Sequence, residues 1–534
     1  TFIFGIGVDY SIFVMNGLIG GKENSRLLGY HKTAIFFSAF ILIVTVSSML
    51  FAEHPAIKSV GFSTLVGMII GSGLGGLECA HILSKAGMSV LLLERGTQAG
   101  GCLQSYRRLG LAFDTGFHYV GGLDEGQSLH SAFRHLGLLR LPWQRLDNHF
   151  DRVTIGNQTF SFAQGYDAFV ETLTAAFPAE RDALNKYADM LKQCGEQQFD
   201  ALNPQTGESS VLSRLFETSA YQYLTETFHD PLLINVLCGT SLKMELRKES
   251  LPLFTFAHGN GSFIESSWRL KGDGSLIVNS LADGIRMHGG EIICNAEVRE
   301  LVEKDGKLVH AVCSNGEIYE GNIFISNIHP AVTCNLVKQS SRMKKVYRSR
   351  ITHLENTFGM FTVSLRIKPQ TLRYFNWNQY IYKEPDVWAF HLKNNPVSGV
   401  LVSCRIPEDG SKYVQQVDLL TPMNWSECEQ WSHTEVGRRG ENYKAMKKRV
   451  ADECITLAER FIPDLRDRIT GCYTSTPLTY RNYTLTPEGS AYGLRKDFRN
   501  PMITLLSPRT PIPNLLLTGQ NLMLHGLHGV TMTA

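Results

Sequence analysis

The chain has 534 residues, 43% of them hydrophobic and 48 of them glycine, enough to bury a sizeable core and to form two or three domains. Lysine plus arginine (52) nearly balances aspartate plus glutamate (50), and the formal net charge of +2 is dispersed, which excludes the basic footprint of a nucleic-acid partner. The 11 cysteines run from Cys79 to Cys472 without a C-x-x-C pair, which argues against a zinc site and a secreted disulfide framework and fits reduced thiols in a cytosolic compartment.

Taken in chain order, Thr1 to Gly21 holds one charge, Asp9, and Thr33 to Ala52 holds none between Lys32 and Glu53. That uncharged run is long enough to span a bilayer as a helix, and no signal-peptide cleavage pattern precedes it. Next, Ile69-Ile70-Gly71-Ser72-Gly73-Leu74-Gly75-Gly76 sets a G-x-G-x-x-G loop between an apolar strand and a helix predicted over Leu77 to Ala86. Gly71 permits the turn, Gly73 lets the backbone approach a pyrophosphate, and Gly76 lets the helix pack on the strand, with the phosphates at the positive helix end. A second strand, Met88 to Leu93, ends in Glu94, at the spacing beyond the glycine loop where a carboxylate accepts hydrogen bonds from an adenosine ribose.

From about Ser128 to Asn260 the sequence reads as helical. Gly272 then leads into a helix running to His288, Glu291 to Cys294 reads as a strand, and the alternating strands Ala296 to Val302 and Leu308 to Val312 flank an Asp305-Gly306 hairpin turn. Ser326-Asn327 ends the last strand of this block, and residues 336–474 are rich in strand-like and aromatic sequence.

Several separated motifs carry a resemblance. Glu94-Arg95 followed by Gly100-Gly101 resembles the flavoprotein pattern E-R-x-x-x-x-G-G, and Phe113-Asp114-Thr115-Gly116-Phe117-His118-Tyr119 matches the D-x-G-x-H element of phytoene desaturases and retinol saturases. Asn514 to Leu522, with Gly519-Gln520, resembles the last FAD motif of that group, and Thr476 to Thr479 with Pro487 to Gly493 resembles the segment before it. Gln520 stands where many members carry an acid, a choice the saturase branch shares, and an amide still bonds hydroxyls. The resemblance spans about residues 69–534. It implies a mixed α/β fold, a Rossmann-like FAD-binding domain of residues 69–135, 265–335 and 475–534 with an inserted α+β substrate domain of residues 136–264 and 336–474. It also implies that Gly71, Gly73, Gly76, Glu94, Arg95, Gly100, Gly101, Val298, Gly519 and Gln520 hold FAD. Cys102, beside the flavin loop, is expected to pack and not to react.

The function implied is reduction or desaturation of carbon–carbon double bonds in an apolar polyene, with an unidentified electron partner, no metal, and His118 or Tyr119 assisting proton delivery; His525 and His528 are further candidates. A flavin amine oxidase and a non-catalytic prenyl-binding protein related to Rab GDP-dissociation inhibitors are the alternatives. The second lacks an intact FAD loop, and this chain keeps one.

Residues 1–68 resemble something else. Gly5-Ile6-Gly7-Val8-Asp9-Tyr10-Ser11 is similar to the G-x-G-V-D-Y-S of MMPL/RND exporters, in which the Asp-Tyr pair joins a proton relay. The resemblance implies transmembrane helices and a membrane-associated protein whose flavin domain faces the cytoplasm. The basic loop of Lys22, Arg26 and Lys32, if cytoplasmic, leaves residue 53 outside after two helices, and a third exporter helix over Ser59 to Leu77 competes with the first flavin strand. A join of an exporter tail to a neighbouring oxidoreductase, by fusion, frameshift or assembly error, is therefore expected. The chain begins at Thr1 and stops at Ala534, where relatives begin a closing helix, so a fragment at both ends, lacking that helix, is expected as well.

Overall fold

The computed structural model describes residues 67–196, 210–389 and 397–534. Gly67–Ile70, Val90–Leu93, Glu291–Ile293, Ile323–Ser326 and Leu515–Leu517 form a five-stranded parallel sheet. Numbered along the chain the strands lie in the order 3-2-1-4-5, a doubly wound arrangement whose order reverses between Gly67–Ile70 and Ile323–Ser326. Met68, Ile70, Leu91, Leu93 and Phe324 pack into one core, and Ile69, Val90, Leu92 and Ile325 into another. With both faces covered, these strands read as unbroken apolar runs. The helices Leu74–Lys85 and Ser275–Met287 cover one face through Leu77, Ala80, Ile277 and Leu281. The hairpin Val298–Lys304 with Lys307–Cys313 turns at Asp305 (φ 52°) and Gly306 (φ 79°), the paired positive φ of a tight two-residue turn.

Two excursions from this sheet build a second, seven-stranded one. His149–Ile155 and Gln158–Ala163 come from the first, and five strands between Gly359 and Ser475 come from the second. They join where Asn378–Tyr382 runs parallel to His149–Ile155. Helices including Tyr166–Ala176, Arg181–Glu196 and Leu253–Glu265 bury Phe169, Leu184, Leu191 and Phe254 in one core with Phe150, Val153 and Tyr380 of the sheet. The helix Glu441–Ala458 packs Val450, Cys454 and Ile455 with Val363, Val402 and Leu419 in another.

Three expectations change. The stretch after Ser128 is not helical throughout: Trp143–Arg145, His149–Ile155 and Gln158–Ala163 are strands, because pairing of His149–Ile155 with Asn378–Tyr382, far along the chain, overrides local periodicity. The first helix begins at Leu74, so that Gly75 and Gly76 form its buried first turn. At the junction the outcome is as expected: no exporter helix runs through to Leu77, since Gly67–Ile70 is a strand and Gly71 turns with φ 89°. The rest of the proposed membrane segment, including Asp9, lies outside the described residues. Among the described residues no helix is long and apolar enough to cross a membrane. Finally, the chain does form a closing helix, Gly526–Thr531, which packs on Leu74–Lys85.

Candidate cofactor and substrate site

A cavity of about 470 Å³ opens at the carboxyl ends of the parallel strands, where the strand order reverses. Gly71, Gly73, Glu94, Arg95, Gly100, Gly101, Val298, Gln520 and His118 lie in its wall. Gly76 and Gly519 stand behind it as packing positions. A Cβ on Gly76 would lie 2.1 Å from the Gly71 carbonyl oxygen, and one on Gly519, whose φ is 97°, would lie 2.6 Å from Asn327 Oδ1. The close approach is therefore built from glycine contacts: a Cβ on Gly73 would meet Asn327 Nδ2 at 2.7 Å, and one on Gly101 would meet Gly73 Cα at 3.0 Å. The helix behind the loop has no side-chain N-cap and no acid in its first turn, so its first N–H groups remain available to a phosphate.

Glu94 takes its place at the end of the second strand. Its carboxylate accepts from the Ser72 N–H at 3.0 Å, from the Ser72 hydroxyl and from the Gly96 N–H at 2.6 Å, which ties the glycine loop to the second strand. The Gly100 N–H donates to both Ser72 Oγ (3.1 Å) and Ser72 O (3.0 Å), so the paired glycines fold back over the first loop. The Arg95 guanidinium donates to the Asn482 carbonyl and lies 4.0 Å from Glu297. Cys102 also lines the cavity with an exposed side chain, and the protein around it pushes its thiol up to about 11, which keeps it protonated.

Asp114, the first residue of the D-x-G-x-H element, spans the two sheets. It accepts from the Gly274 N–H at 2.8 Å and pairs with Arg405, beyond the strand Gly399–Cys404. Burial raises Asp114 to about 7 against the opposing pull of Arg405. In the same element, burial together with the charges of Arg405 and Arg269 lowers His118 to about 4, so the imidazole in the cavity wall is neutral and its Nε2 is buried without a partner.

The structure separates His118 from Tyr119. Tyr119 turns into the core of the second sheet, where its hydroxyl donates to Asp151 Oδ2 at 2.8 Å and lies 2.8 Å from the Tyr380 hydroxyl. Burial and the Asp151 charge hold that phenol well above its ordinary pKa. Lys243, lowered to about 8 by burial, stands 3.9 Å from the same carboxylate. His525 and His528 bracket the closing turn, whose Gly526, Leu527 and Val530 line the cavity. His525 Nε2 is 2.8 Å from the Lys243 carbonyl, and burial lowers both rings to about 4.

Two residues gained no role from the sequence. Asn327, at the carboxyl end of its strand, places one side chain against both glycine loops, and Arg405 joins the sheets through Asp114. A polar residue ending an apolar strand at the switch point was the available cue for Asn327. Arg405 left none, because its partner belongs to a much earlier part of the chain. The cavity wall also includes the apolar and aromatic side chains of Met360, Leu420, Tyr480, Ala491 and Tyr492.

The family model described as an NAD(P)-binding Rossmann-like domain matches residues 69–136. The all-trans-retinol 13,14-reductase of Danio rerio is 25% identical over 510 residues, covering 86% of this chain and 83% of that protein. The chloroplastic prolycopene isomerase of Daucus carota is 25% identical over 458 residues, covering 80% and 71%. Putrescine oxidase bound to putrescine superposes with a TM-score of 0.60 at 13% identity, over 88% of this chain and 96% of that one, a likeness of fold. The chain is thus a homologue of proteins named all-trans-retinol 13,14-reductase and prolycopene isomerase, with a Rossmann-like dinucleotide-binding domain at residues 69–136.

Proposed function

We propose that the protein is an FAD-dependent oxidoreductase that acts on carbon–carbon double bonds of an apolar polyene, with reduction as its direction. One observation carries this reading: a single cavity is lined both by the glycine cradle with Glu94 and by the apolar and aromatic side chains of Met360, Leu420, Tyr480 and Tyr492. The residues fit FAD. Gly73 and Gly101 would leave room for its pyrophosphate at the helix Leu74–Lys85, Glu94 and Arg95 would hold its ribose, Val298 and Glu297 would flank its adenine, and Gln520 would bond it from the last motif. When bound, FAD supplies hydride exchange at its ring.

The chain's own residues do the rest. Met360, Leu420 and the two tyrosines exclude water from an apolar substrate. His118, held neutral, is placed to relay a proton at the cavity wall, releasing one from one ring nitrogen as it takes one up on the other. Homology with proteins named for retinol and prolycopene supports a polyene as substrate. Such a molecule resides in lipid, which supports a protein working at a membrane surface. The amine-oxidase alternative has only the likeness of fold behind it.

The test is the visible spectrum of the protein purified in mild detergent with FAD, reduced anaerobically and then given all-trans-retinol. Flavin bands that bleach and return with retinol support the reading. A protein that takes up no FAD, or reduced FAD that polyenes leave unchanged while an amine reduces the oxidised form, overturns it.

A further inference from the structure

A second concavity, of about 730 Å³, lies against the outer face of the helix Pro477–Thr484, whose inner face lines the cofactor cavity. Arg439, Lys444, Lys447, Lys448 and Arg466 stand in its wall, and Asp452 is the single carboxylate there among the described residues. That carboxylate is taken by Arg466 at 3.0 Å, and Lys444 is paired with Glu441 at 2.8 Å outside the groove. Lys447 and Arg439 converge on the Tyr443 ring, at 5.6 and 5.5 Å from its centroid. One nitrogen of Arg439 is fixed by the Trp431 carbonyl and by Thr434, each at 3.0 Å, so its charge is held in place. Like charges packed together without a carboxylate are costly unless an anion joins them. A separate observation points the same way: Asn482, in the groove wall, is half-buried and its side-chain nitrogen has no acceptor, so a turn of the amide would present an unused donor to an anion.

We propose that this groove binds a phosphate-bearing anion of diphosphate size, seated by Arg439, Lys447, Lys448 and the Asn482 amide, and that it is coupled to the cofactor cavity. The coupling has a physical carrier. The Asn482 carbonyl accepts from the Arg95 guanidinium, which lines the cofactor cavity, and Tyr483 stands in both walls. An anion that shifts Asn482 moves Arg95, and by linkage FAD must change the anion's affinity by the factor that the anion changes FAD's.

The experiment is calorimetric titration of the FAD-loaded protein with inorganic pyrophosphate at 0.15 M NaCl, with the cofactor cavity already filled. The expected result is saturable binding of one pyrophosphate per chain, weakened at least tenfold by Lys447→Ala with Lys448→Ala and by Asn482→Ala, with FAD content and melting temperature unchanged. Tighter competition by ADP than by geranyl diphosphate assigns a nucleotide source, and the reverse order assigns a prenyl source. Absence of saturable binding, or binding that survives the lysine substitutions, overturns the proposal. Should the protein take up no FAD, the same titration on Gly73→Val, whose cofactor cradle is blocked, keeps this question separate from that of the flavin.

Discussion

Asn327 donates its side-chain amide to the Gly71 carbonyl at 3.4 Å, across the gap where the parallel sheet reverses its strand order. The same side chain bounds the space above Gly73, Gly75 and Gly519, where a Cβ would lie 2.7, 2.8 and 2.6 Å from it. It therefore sets the height of two loops that lie far before it and far after it in the chain. Asn327→Leu should leave the far-UV spectrum unchanged and weaken FAD at least tenfold in equilibrium titration. Gly76→Val is expected to act on the fold instead, because its Cβ would press on the Gly71 carbonyl at 2.1 Å. A loss of about 1–3 kcal/mol is expected, read as a lower denaturation midpoint.

Glu78 is fully buried on the helix behind the cradle. Thr531 donates to its Oε1 at 2.8 Å, and Oε2 has no partner. Burial raises its pKa from 4.5 to about 8. Between those values the unfolded chain has released the proton and the folded chain has kept it, so this residue's contribution to stability is intact below pH 4.5 and falls as pH rises to about 8. Glu78→Gln keeps the shape and removes the titration. Denaturant unfolding of the two proteins should give similar stabilities at pH 5 and favour the Gln variant by about 3–4 kcal/mol at pH 8. An unchanged difference across that range would refute the assignment.

Asp114 and Arg405 form a nearly buried pair, 7% and 13% exposed, that fastens the dinucleotide domain to the second sheet. Asp114→Asn removes the carboxylate paired directly with the guanidinium and leaves it the more distant charges of Asp418 and Asp273. A cost of about 3–5 kcal/mol is expected. The loss should shrink when Arg405→Met is added, since the guanidinium charge goes with it; a double variant as unstable as the sum of the singles contradicts the pairing.

His118 and Tyr119 are adjacent in sequence and face different surroundings. His118→Gln is expected to keep FAD content and lower turnover of reduced flavin with retinol at least tenfold. With the imidazole lowered to about 4, turnover should carry no histidine inflection between pH 6 and 8. Tyr119→Phe removes a hydroxyl that serves Asp151 and Tyr380, so it should cost about 1–3 kcal/mol of stability and leave turnover per flavin within twofold. Stopped-flow oxidation of the reduced enzyme, normalised to flavin, separates the two outcomes.

Much of the cradle was legible in the sequence because its constraints are local. The turn at Gly71, the tight helix contact of Gly76 and the acid at Glu94 all lie within one strand–helix–strand unit, where spacing alone sets distance. The Asp305-Gly306 hairpin was legible for the same reason. The strands after Trp143 were not, since the partner of His149–Ile155 is Asn378–Tyr382 and the intervening helices carry the stronger local periodicity. Nor could the motif around Asp114 show that His118 would meet the cavity while Tyr119 turned away, because that division depends on Arg405 and Arg269 on one side and on Asp151 and Tyr380 on the other.

Local sequence was thus sufficient for the glycine loop and its strand–helix–strand setting, since such a tight turn and close helix contact need glycine at fixed short intervals. Which distant groups complete the site emerged with the packed fold alone. The sheet brings Asn327 and Gln520 beside Gly71, the second sheet supplies the apolar wall at Met360 and Leu420, and burial between two guanidinium groups fixes the charge state of His118. Those are properties of packing between segments remote in the chain, where the low dielectric of the interior and the register of paired strands act together and no local pattern records either.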